Sequence, residues 1–449
     1  MSARLHVTGI LFPLIAVFCR AQTPPALFSV PPADAPELAM RGSYAVGVRT
    51  IDLIHKDQVD ILHISDSGKA PLYDRPLRIE VWYPAAIPHG QKEESIYEMP
   101  VPGGHGLNGS AAFQIVDKAL RDAPPATGSR FPLVIVSHGY PGSRYFLSYL
   151  TSNLASKGYV VVAIDHTDSL FDGMRGFEST LLNRSNDQLF TVMELGELAQ
   201  KRENFLHGLV DASNVAIIGY SMGGYGALTS AGAGISDSSP LLQFVKGYLK
   251  DWTAGSAAFR AIDRNAIKAI VAIAPWGEQP PYKAWDAHGL GEIRIPSLFI
   301  AGDRDDVADY ANGIKPAFEL AVNSERCMLV YENARHNTGG NPAPAGIQLP
   351  FATLQAFDEP VWAKERITAI NQHFITAFLD LYLKRDREKA SFLHVVPERS
   401  NDGKWPAPPT LSDTGTFSTG QDANGNVFWR GFQRRWAVGL EMWCHAARH

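Results

Sequence analysis

The stretch Asn214-Val-Ala-Ile-Ile-Gly-Tyr-Ser-Met-Gly-Gly-Tyr-Gly-Ala-Leu decides the fold class of this chain. Its first half is an apolar, β-branched run, as expected for a strand buried on both faces, and its second half is rich in small residues. The halves meet at a G-x-S-x-G sequence, residues 219–223, where a strand turns at once into a helix and raises the serine hydroxyl above the sheet edge. We interpret Ser221 as a candidate nucleophile; the alternative is a glycine-rich turn with a solvated serine.

Strand-like and helical runs alternate on both sides of this stretch. Further buried strands are predicted at 132–137, 158–165, 269–274, 297–301 and 328–331, and helices at 143–157, 185–203 and 361–385. Strands that alternate with helices form a largely parallel sheet with helices on both faces. The predicted fold class is therefore α/β with a mostly parallel central sheet.

Other segments are predicted from weaker patterns. Strands are expected at 44–53 and 78–84, a short helix at 111–120, an extra helical piece at 241–252, and a hairpin or edge strands at 427–432 and 436–443. The predicted organisation is a signal peptide at 1–21, a tether at 22–41, a main domain at 42–390 with an insert at 232–266, and a C-terminal extension at 391–449 packed on that domain.

The N-terminus has the pattern of an export signal. Basic residues precede the apolar stretch 7–18, which is too short to span a bilayer, and Cys19-Arg-Ala follows as a small-x-small cleavage site. Cleavage would start the mature protein at Gln22 and leave it periplasmic or extracellular. Cys327 and Cys444 would then remain, and buried free thiols are favoured over a single bridge.

Bulk composition excludes several classes of partner. The 449 residues carry a formal net charge of −5, which argues against nucleic acid or an anionic membrane surface as the main partner. No zinc-ligand spacing, P-loop or dinucleotide fingerprint is present, and Asp422-Ala-Asn-Gly-Asn lacks the spacing of a calcium loop. We expect no cofactor and no metal.

A serine nucleophile needs a base that takes its proton and a third group that orients the base. Asp305 follows the predicted strand 297–301 and is the favoured acid, with Asp303 and Asp306 as rivals. His336 follows the last predicted core strand and is the expected base, although one histidine among 14 would mean little without that position. The order Ser, Asp, His along the chain is the order that this strand arrangement requires.

Four residues are expected around the nucleophile. The backbone N–H groups of Tyr140 and Met222 are predicted to form the oxyanion hole, since Pro141 has no N–H to donate. Trp276 and Tyr220 are predicted to contact substrate, with core packing as the alternative for Trp276. His166 also follows a strand end, and a structural hydrogen-bonding role is favoured for it.

Six motifs together resemble the α/β-hydrolase superfamily and, within it, the bacterial proteins related to dienelactone hydrolase and plasma-type platelet-activating-factor acetylhydrolase. They are Tyr44-Ala-Val-Gly-Val-Arg-Thr, Arg78-Ile-Glu-Val-Trp-Tyr-Pro, Val136-Ser-His-Gly, Gly219-Tyr-Ser-Met-Gly-Gly, Gly302-Asp-Arg-Asp and Arg335-His, and they cover about 42–384. True dienelactone hydrolases use a cysteine where this chain has Ser221. The set Tyr140, Met222 and Trp276 also resembles cutinase-like polyester hydrolases.

The resemblance implies a serine hydrolase of carboxylic esters with a small-molecule substrate, and the N-terminal pattern indicates that it is exported. Bulky residues around Ser221 favour short acyl groups, unless the insert at 232–266 forms a lid with an apolar groove. A serine peptidase or polyester hydrolase of the same fold and a non-catalytic binding protein are the alternatives. The presence of all three triad residues in order disfavours the last.

Overall fold

The structure, a computed structural model, describes residues 31–100, 112–343, 349–405 and 416–448. The predicted signal peptide and residues 22–30 of the predicted tether lie outside these residues. The strands are β1 Ala45–Val59, β2 Leu72–Ala85, β3 Ser95–Pro100, β4 Ala112–Asp117, β5 Leu120–Arg121, β6 Phe131–Ser137, β7 Val160–Asp165, β8 Val210–Tyr220, β9 Ile267–Ile273, β10 Ser297–Gly302, β11 Arg326–Tyr331 and β12 Leu440–His445.

Helices alternate with the strands from β6 onward. The α-helices are α1 Ser148–Ser156, α2 Phe177–Gln200, α3 Met222–Ser230, α4 Leu241–Phe244, α5 Ala257–Ala261, α6 Ala287–Gly291, α7 Lys315–Leu320, α8 Phe351–Leu354, α9 Lys364–Tyr382 and α10 Ala390–Leu393. Short 3-10 turns lie at Glu37–Ala39, Ile61–His63, Lys250–Trp252, Arg387–Lys389 and Ser400–Asp402, and a π-turn lies at Tyr310–Ile314.

One ten-stranded sheet organises the chain, in the order β12-β11-β10-β9-β8-β6-β7-β2-β1-β5. The six strands from β11 to β7 in this order run parallel to one another, whereas β2 and β12 pair antiparallel with the ends of that block. The expected α/β-hydrolase architecture, a mostly parallel sheet, is confirmed. Because the central strands are parallel, their carboxyl ends lie along one edge, where the loops after β6, β8, β9, β10 and β11 meet.

Two apolar layers cover the two faces of the sheet. Successive residues of β6 alternate between them, with Val134 and Val136 in one layer and Leu133 and Ile135 in the other. Helices α1 and α9 complete the first layer, and α2, α3 and α7 complete the second. The central strands are therefore apolar on both faces, which explains their unbroken runs of Val, Ile and Leu.

Three expectations about local structure are wrong. Residues 112–117 form β4, which pairs antiparallel with β3, where a helix is predicted at 111–120. The helical piece predicted at 241–252 is divided between α4 and a 3-10 turn, and the segment 427–432 is not a strand. The second predicted edge strand does form, as β12, but it begins at Leu440.

The cysteine expectation is also wrong. β12 lies antiparallel to β11 with Cys444 directly opposite Cys327, and the two form a disulfide. The sequence carries no signal for this bridge, because a separation of 117 residues says nothing about strand register. Cross-strand neighbours in an antiparallel pair lie close enough for their side chains to join.

Candidate active site

Ser221 lies alone between the end of β8 and the start of α3. Its backbone has φ 54° and ψ −115°, a conformation that L side chains rarely adopt. Close packing requires glycine on both sides of the serine. A methyl group added at Gly219 would lie 2.0 Å from the carbonyl oxygen of Gly223, and one added at Gly223 would lie 2.0 Å from the carbonyl oxygen of Ser137. The strained turn therefore depends on the G-x-S-x-G sequence.

A continuous hydrogen-bond chain joins Ser221, His336 and Asp305. The distance from His336 Nε2 to Ser221 Oγ is 3.0 Å, and His336 Nδ1 lies 2.8 Å from Asp305 Oδ2. The other carboxylate oxygen of Asp305 accepts from the N–H groups of Val307 and Ala308 at 2.9 and 2.8 Å. A carboxylate fixed on both sides holds the Nδ1–H tautomer and leaves Nε2 as an acceptor facing the serine hydroxyl.

The rival aspartates have other partners. Asp303 accepts from the N–H of Asn333 at 2.6 Å, and Asp306 forms an ion pair with Arg335. All three acids follow β10, but only the backbone path of this loop decides which one reaches the histidine.

The loop after β6 abuts the nucleophile. A methyl group added at Gly139 would lie 3.2 Å from Ser221 Cβ, so the Gly139–Tyr140 peptide passes beside the serine. Met222 follows Ser221 directly and begins α3, and its side chain is buried. The N–H groups at the first turn of a helix have no intrahelical partners and favour negative charge.

An aromatic cluster lies on one side of Ser221. We define it by five residues, with neighbouring ring centroids 4.5–6.3 Å apart: Tyr140, Phe177, Phe244, Trp276 and Tyr282. The N–H of Trp276 donates to the Ser221 carbonyl at 3.2 Å, which ties the cluster to the nucleophile turn. Phe177 at the start of α2 is the central ring, and sequence reasoning missed it because no motif surrounds it.

The sequence predicts that Tyr220 forms a wall of the substrate pocket. In the structure Tyr220 lies against the loop after β11 that carries His336, which we call the histidine loop. Its ring centroid is 5.4 Å from that of His336, and its hydroxyl lies 3.4 Å from the His336 carbonyl and 3.3 Å from Asn337 Oδ1. The side chain is buried, and burial raises the pKa of its hydroxyl well above the ordinary value. In this position Tyr220 supports the loop rather than facing an open cleft.

Two further residues hold the histidine loop and were missed from the sequence. The Glu359 carboxylate accepts from the backbone N–H groups of Arg335 and Asn337, each at 2.6 Å. These two residues flank His336, so Glu359 fixes the backbone on both sides of the histidine. Lys364 donates to the Asn337 carbonyl, and burial lowers its pKa to about 8. Glu359 lies in a different segment of the chain, so spacing alone carries no signal for it.

A cleft of about 600 Å³ opens beside His336. Its walls include Val307, Phe351 and Leu354, together with polar groups of the histidine loop. Among the residues that the structure describes, no group of three or more His, Cys, Asp or Glu side chains could hold a metal ion. Over the same residues, no helix is long and apolar enough to cross a membrane.

His166, for which a structural role is predicted, is buried and bonds to two polar side chains. Its Nε2 lies 2.8 Å from Ser137 Oγ, and its Nδ1 lies 2.8 Å from Asp187 Oδ2. Burial lowers the pKa of His166 to about 3, so its ring is neutral at physiological pH.

Part of the chain is similar in sequence to known ester hydrolases. Residues 122–240, which include Ser221, match the family model described as PET hydrolase-like. A cutinase of Thermobifida alba is 24% identical over 213 residues, 47% of this chain and 55% of the relative. A bis(hydroxyethyl) terephthalate hydrolase of Streptomyces coelicolor is 22% identical over 46% of this chain and 50% of its own length. The chain thus spans about half the length of these curated relatives.

The fold also matches a solved structure. A ferulic acid esterase from Streptomyces cinnamoneus aligns with a TM-score of 0.50 and 20% identity, covering 78% of this chain and 94% of that one. That likeness supports the sheet topology described above. With the sheet, the matched segment and these relatives taken together, the chain has the α/β-hydrolase fold and resembles ester hydrolases of that fold.

Proposed function

We propose that this protein is a serine hydrolase of carboxylic esters that works through an acyl-enzyme. The observation that carries the proposal is the hydrogen-bond chain from Ser221 through His336 to Asp305 at a strained strand-to-helix turn. The names of the similar proteins, cutinase and bis(hydroxyethyl) terephthalate hydrolase, support an ester as the substrate.

The proposed reaction has two halves. In the first, Ser221 Oγ attacks the ester carbonyl while His336 Nε2 takes the hydroxyl proton and then gives it to the departing alcohol. The N–H groups of Tyr140 and Met222 stabilise the oxyanion of the tetrahedral intermediate. In the second half, water attacks the acyl-enzyme with the same histidine as base, which releases the acid and restores the serine.

The direct test is hydrolysis of p-nitrophenyl butyrate by the wild type and by Ser221→Ala. We expect the variant to lose at least about 10³-fold in kcat while it keeps the wild-type fold, because the nucleophile and its base act as one unit. A fluorophosphonate probe should label Ser221, as located by mass spectrometry, and should leave the buried Ser137 unlabelled. A folded Ser221→Ala protein with near-normal kcat would end the proposal.

For substrate size we propose a preference for short acyl groups. Trp276 and Tyr140 stand beside the nucleophile and limit the space for an acyl chain, and each methylene that fits or clashes changes the barrier by about 1–3 kcal/mol. The measurement is kcat/KM across p-nitrophenyl acetate, butyrate, octanoate and palmitate. Trp276→Ala should shift the optimum to longer chains, and a wild-type maximum at octanoate or beyond would contradict the narrow pocket.

A polyester substrate is the second candidate. The aromatic cluster presents two exposed rings, Tyr282 next to Trp276 and Phe244 next to Phe177. An aromatic surface of this kind suits a chain of aromatic ester units. Release of soluble acid from a bis(hydroxyethyl) terephthalate solution and from a polyester film, with Ser221→Ala as the blank, tests it.

We also propose that the protein is exported. The apolar stretch 7–18 supports this, and the disulfide between Cys327 and Cys444 is of the kind that persists in oxidising compartments. N-terminal sequencing of the mature protein should begin at Gln22.

A further inference from the structure

A second Ser–His–Asp arrangement lies buried beside the loop that follows β6. It consists of the hydrogen-bonded residues Ser137, His166 and Asp187 described above, whose side chains are 0–1% exposed. No substrate reaches Ser137 Oγ at that depth, so this arrangement has a supporting role. Asp187 is also held by a two-bond ion pair with Arg75, at 2.8 and 2.9 Å.

The buried group touches the loop through His138. The backbone N–H of His166 donates to His138 Nε2 at 3.3 Å. Because Nε2 accepts this hydrogen bond, the proton of the neutral His138 ring is on Nδ1. That Nδ1–H then donates to the Gly139 carbonyl at 2.8 Å. Burial lowers the pKa of His138 well below its ordinary value, so the ring stays neutral and this pattern persists at physiological pH.

Arg184 on α2 holds the same loop from within the protein. Its guanidinium donates to the His138 carbonyl, to the Gly139 carbonyl at 3.3 Å and to Ser169 Oγ at 2.8 Å. Burial lowers the pKa of Arg184 to about 9, so the group is still a cation at neutral pH. A charged donor makes a stronger hydrogen bond to a carbonyl than a neutral one.

The geometry of one peptide unit links these contacts to catalysis. The carbonyl of Gly139 and the N–H of Tyr140 belong to the same planar peptide and, in the trans form, point in opposite directions. When Arg184 and His138 hold the carbonyl toward the protein interior, the N–H must face the other way. Gly139 abuts Ser221, and the Tyr140 N–H is one of the two predicted oxyanion donors.

We propose that Arg184 is a positioning residue for the oxyanion hole: it fixes the Gly139–Tyr140 peptide so that the Tyr140 N–H is aimed at the developing oxyanion. Arg184 touches no substrate and acts through the loop. The inference rests on the proposed ester hydrolysis and adds to it a residue outside the triad.

The test compares Arg184→Met and Arg184→Lys with the wild type on p-nitrophenyl butyrate. Loss of one oxyanion donor costs about 10²–10³-fold in kcat, so a misaimed donor in Arg184→Met should cost about 10- to 100-fold with KM within about twofold. Arg184→Lys keeps the charge and should recover part of the loss. The affinity for phenylboronic acid, whose tetrahedral adduct places an oxygen in the oxyanion hole, should fall by the same factor as kcat.

The matched control is Thr191→Val. Thr191 lies on the same helix, is buried, and donates its hydroxyl to the Asp187 carbonyl at 2.7 Å, without a described contact to the loop. This variant removes one buried hydrogen bond and should leave kcat and boronate affinity unchanged. Equal losses in Thr191→Val and Arg184→Met would mean that general destabilisation is responsible, which overturns the inference.

Ser169→Ala covers the case in which Arg184→Met does not fold. It removes the hydroxyl that orients the guanidinium and should lower kcat several-fold at constant KM. If both Ser169→Ala and Arg184→Lys keep wild-type kcat and boronate affinity, the positioning role is wrong. If Ser221→Ala retains hydrolysis, the proposed function itself fails, whatever the Arg184 variants do.

Discussion

Single residues decide the chemistry of the loop after β10. Three aspartates occur within four positions there, yet only the Asp305 carboxylate faces His336. Two backbone N–H groups hold its other oxygen, so its orientation does not depend on the histidine. Asp303 instead anchors the start of the histidine loop at Asn333, and its contribution is to loop geometry.

We expect Asp305→Asn to lower kcat on p-nitrophenyl butyrate by about 10²–10⁴-fold, because the amide no longer selects the Nδ1–H tautomer of His336. Asp303→Asn should stay within about threefold, since an amide oxygen still accepts from Asn333 N–H. Both proteins should have circular dichroism spectra like that of the wild type. A large loss of kcat in Asp303→Asn, together with near-normal kcat in Asp305→Asn, would reverse the assignment of the acid.

At the scale of elements, the segment between β11 and α9 holds the candidate base in place. Glu359 spans the histidine loop with two short hydrogen bonds, and Lys364 at the start of α9 adds a third contact. Phe357 packs against Phe146, with ring centroids 5.9 Å apart, and so fixes this segment on the layer that contains α1. The histidine is therefore supported from outside the strand that precedes it.

Glu359→Gln should misplace the base without removing it. An amide has one oxygen, so one of the two N–H groups of Arg335 and Asn337 loses its acceptor, at a cost of about 1–2 kcal/mol in the free energy of unfolding. We expect kcat to fall about tenfold, because small displacements of a catalytic group have large effects on rate. The control is Glu365→Gln, an exposed acid nearby, which should change neither quantity. Unaltered kcat in a folded Glu359→Gln protein would contradict the role.

At the scale of the whole molecule, the C-terminal strand closes one edge of the sheet. β12 pairs with β11 along its full length, and the disulfide joins the two strands at Cys327 and Cys444. A bridge across 117 residues restricts the unfolded chain far more than the folded one.

The double variant Cys327→Ala/Cys444→Ala should lower the free energy of unfolding by about 2–4 kcal/mol, measured by urea denaturation. Cys327 lies near the amino end of β11, whereas His336 follows its carboxyl end, so esterase activity at 25 °C should stay within about twofold. Wild type in dithiothreitol should reproduce the loss of stability. Equal stability of the oxidised and reduced wild type would rule out this contribution.

Buried neutral histidines set the response of the whole molecule to acid. Burial lowers the pKa of His138 well below its ordinary value and the pKa of both His166 and His373 to about 3. The unfolded chain, with histidine pKa values near 6.5, therefore binds more protons than the folded protein in mild acid. The stability they contribute is fully present above about pH 6.5 and is lost as the pH falls toward about 3.

Each such histidine contributes a slope of up to about 1.4 kcal/mol per pH unit, so the three together should reduce the free energy of unfolding by about 3–4 kcal/mol per unit below about pH 6. Urea denaturation at a series of pH values measures this slope. His373→Leu should remove about a third of it, and His207→Asn, at an exposed position, should leave it unchanged. A free energy of unfolding that is the same at about pH 7 and pH 5 would contradict the expectation.

Features that depend on short stretches of chain could be predicted from the sequence. The G-x-S-x-G turn forms because glycine at positions 219 and 223 avoids collisions with the backbone. The apolar strands alternate with helices at spacings that a local pattern reveals. The parallel order of those strands then brings the loops that carry Ser221, Asp305 and His336 to one edge. The fold class was predictable for this reason, and the comparisons confirm it.

Features that depend on strand register and on contacts between distant segments could not be predicted and are evident only in the folded protein. Residues 112–117 become a strand because β3 pairs with them, although their apolar spacing also suits a helix. Cys444 meets Cys327 because β12 lies antiparallel to β11 in one register, and Glu359 and Arg184 reach the candidate site from segments without a motif. Contacts between segments far apart in the chain leave no local pattern, since they form only when the folded sheet brings those segments together.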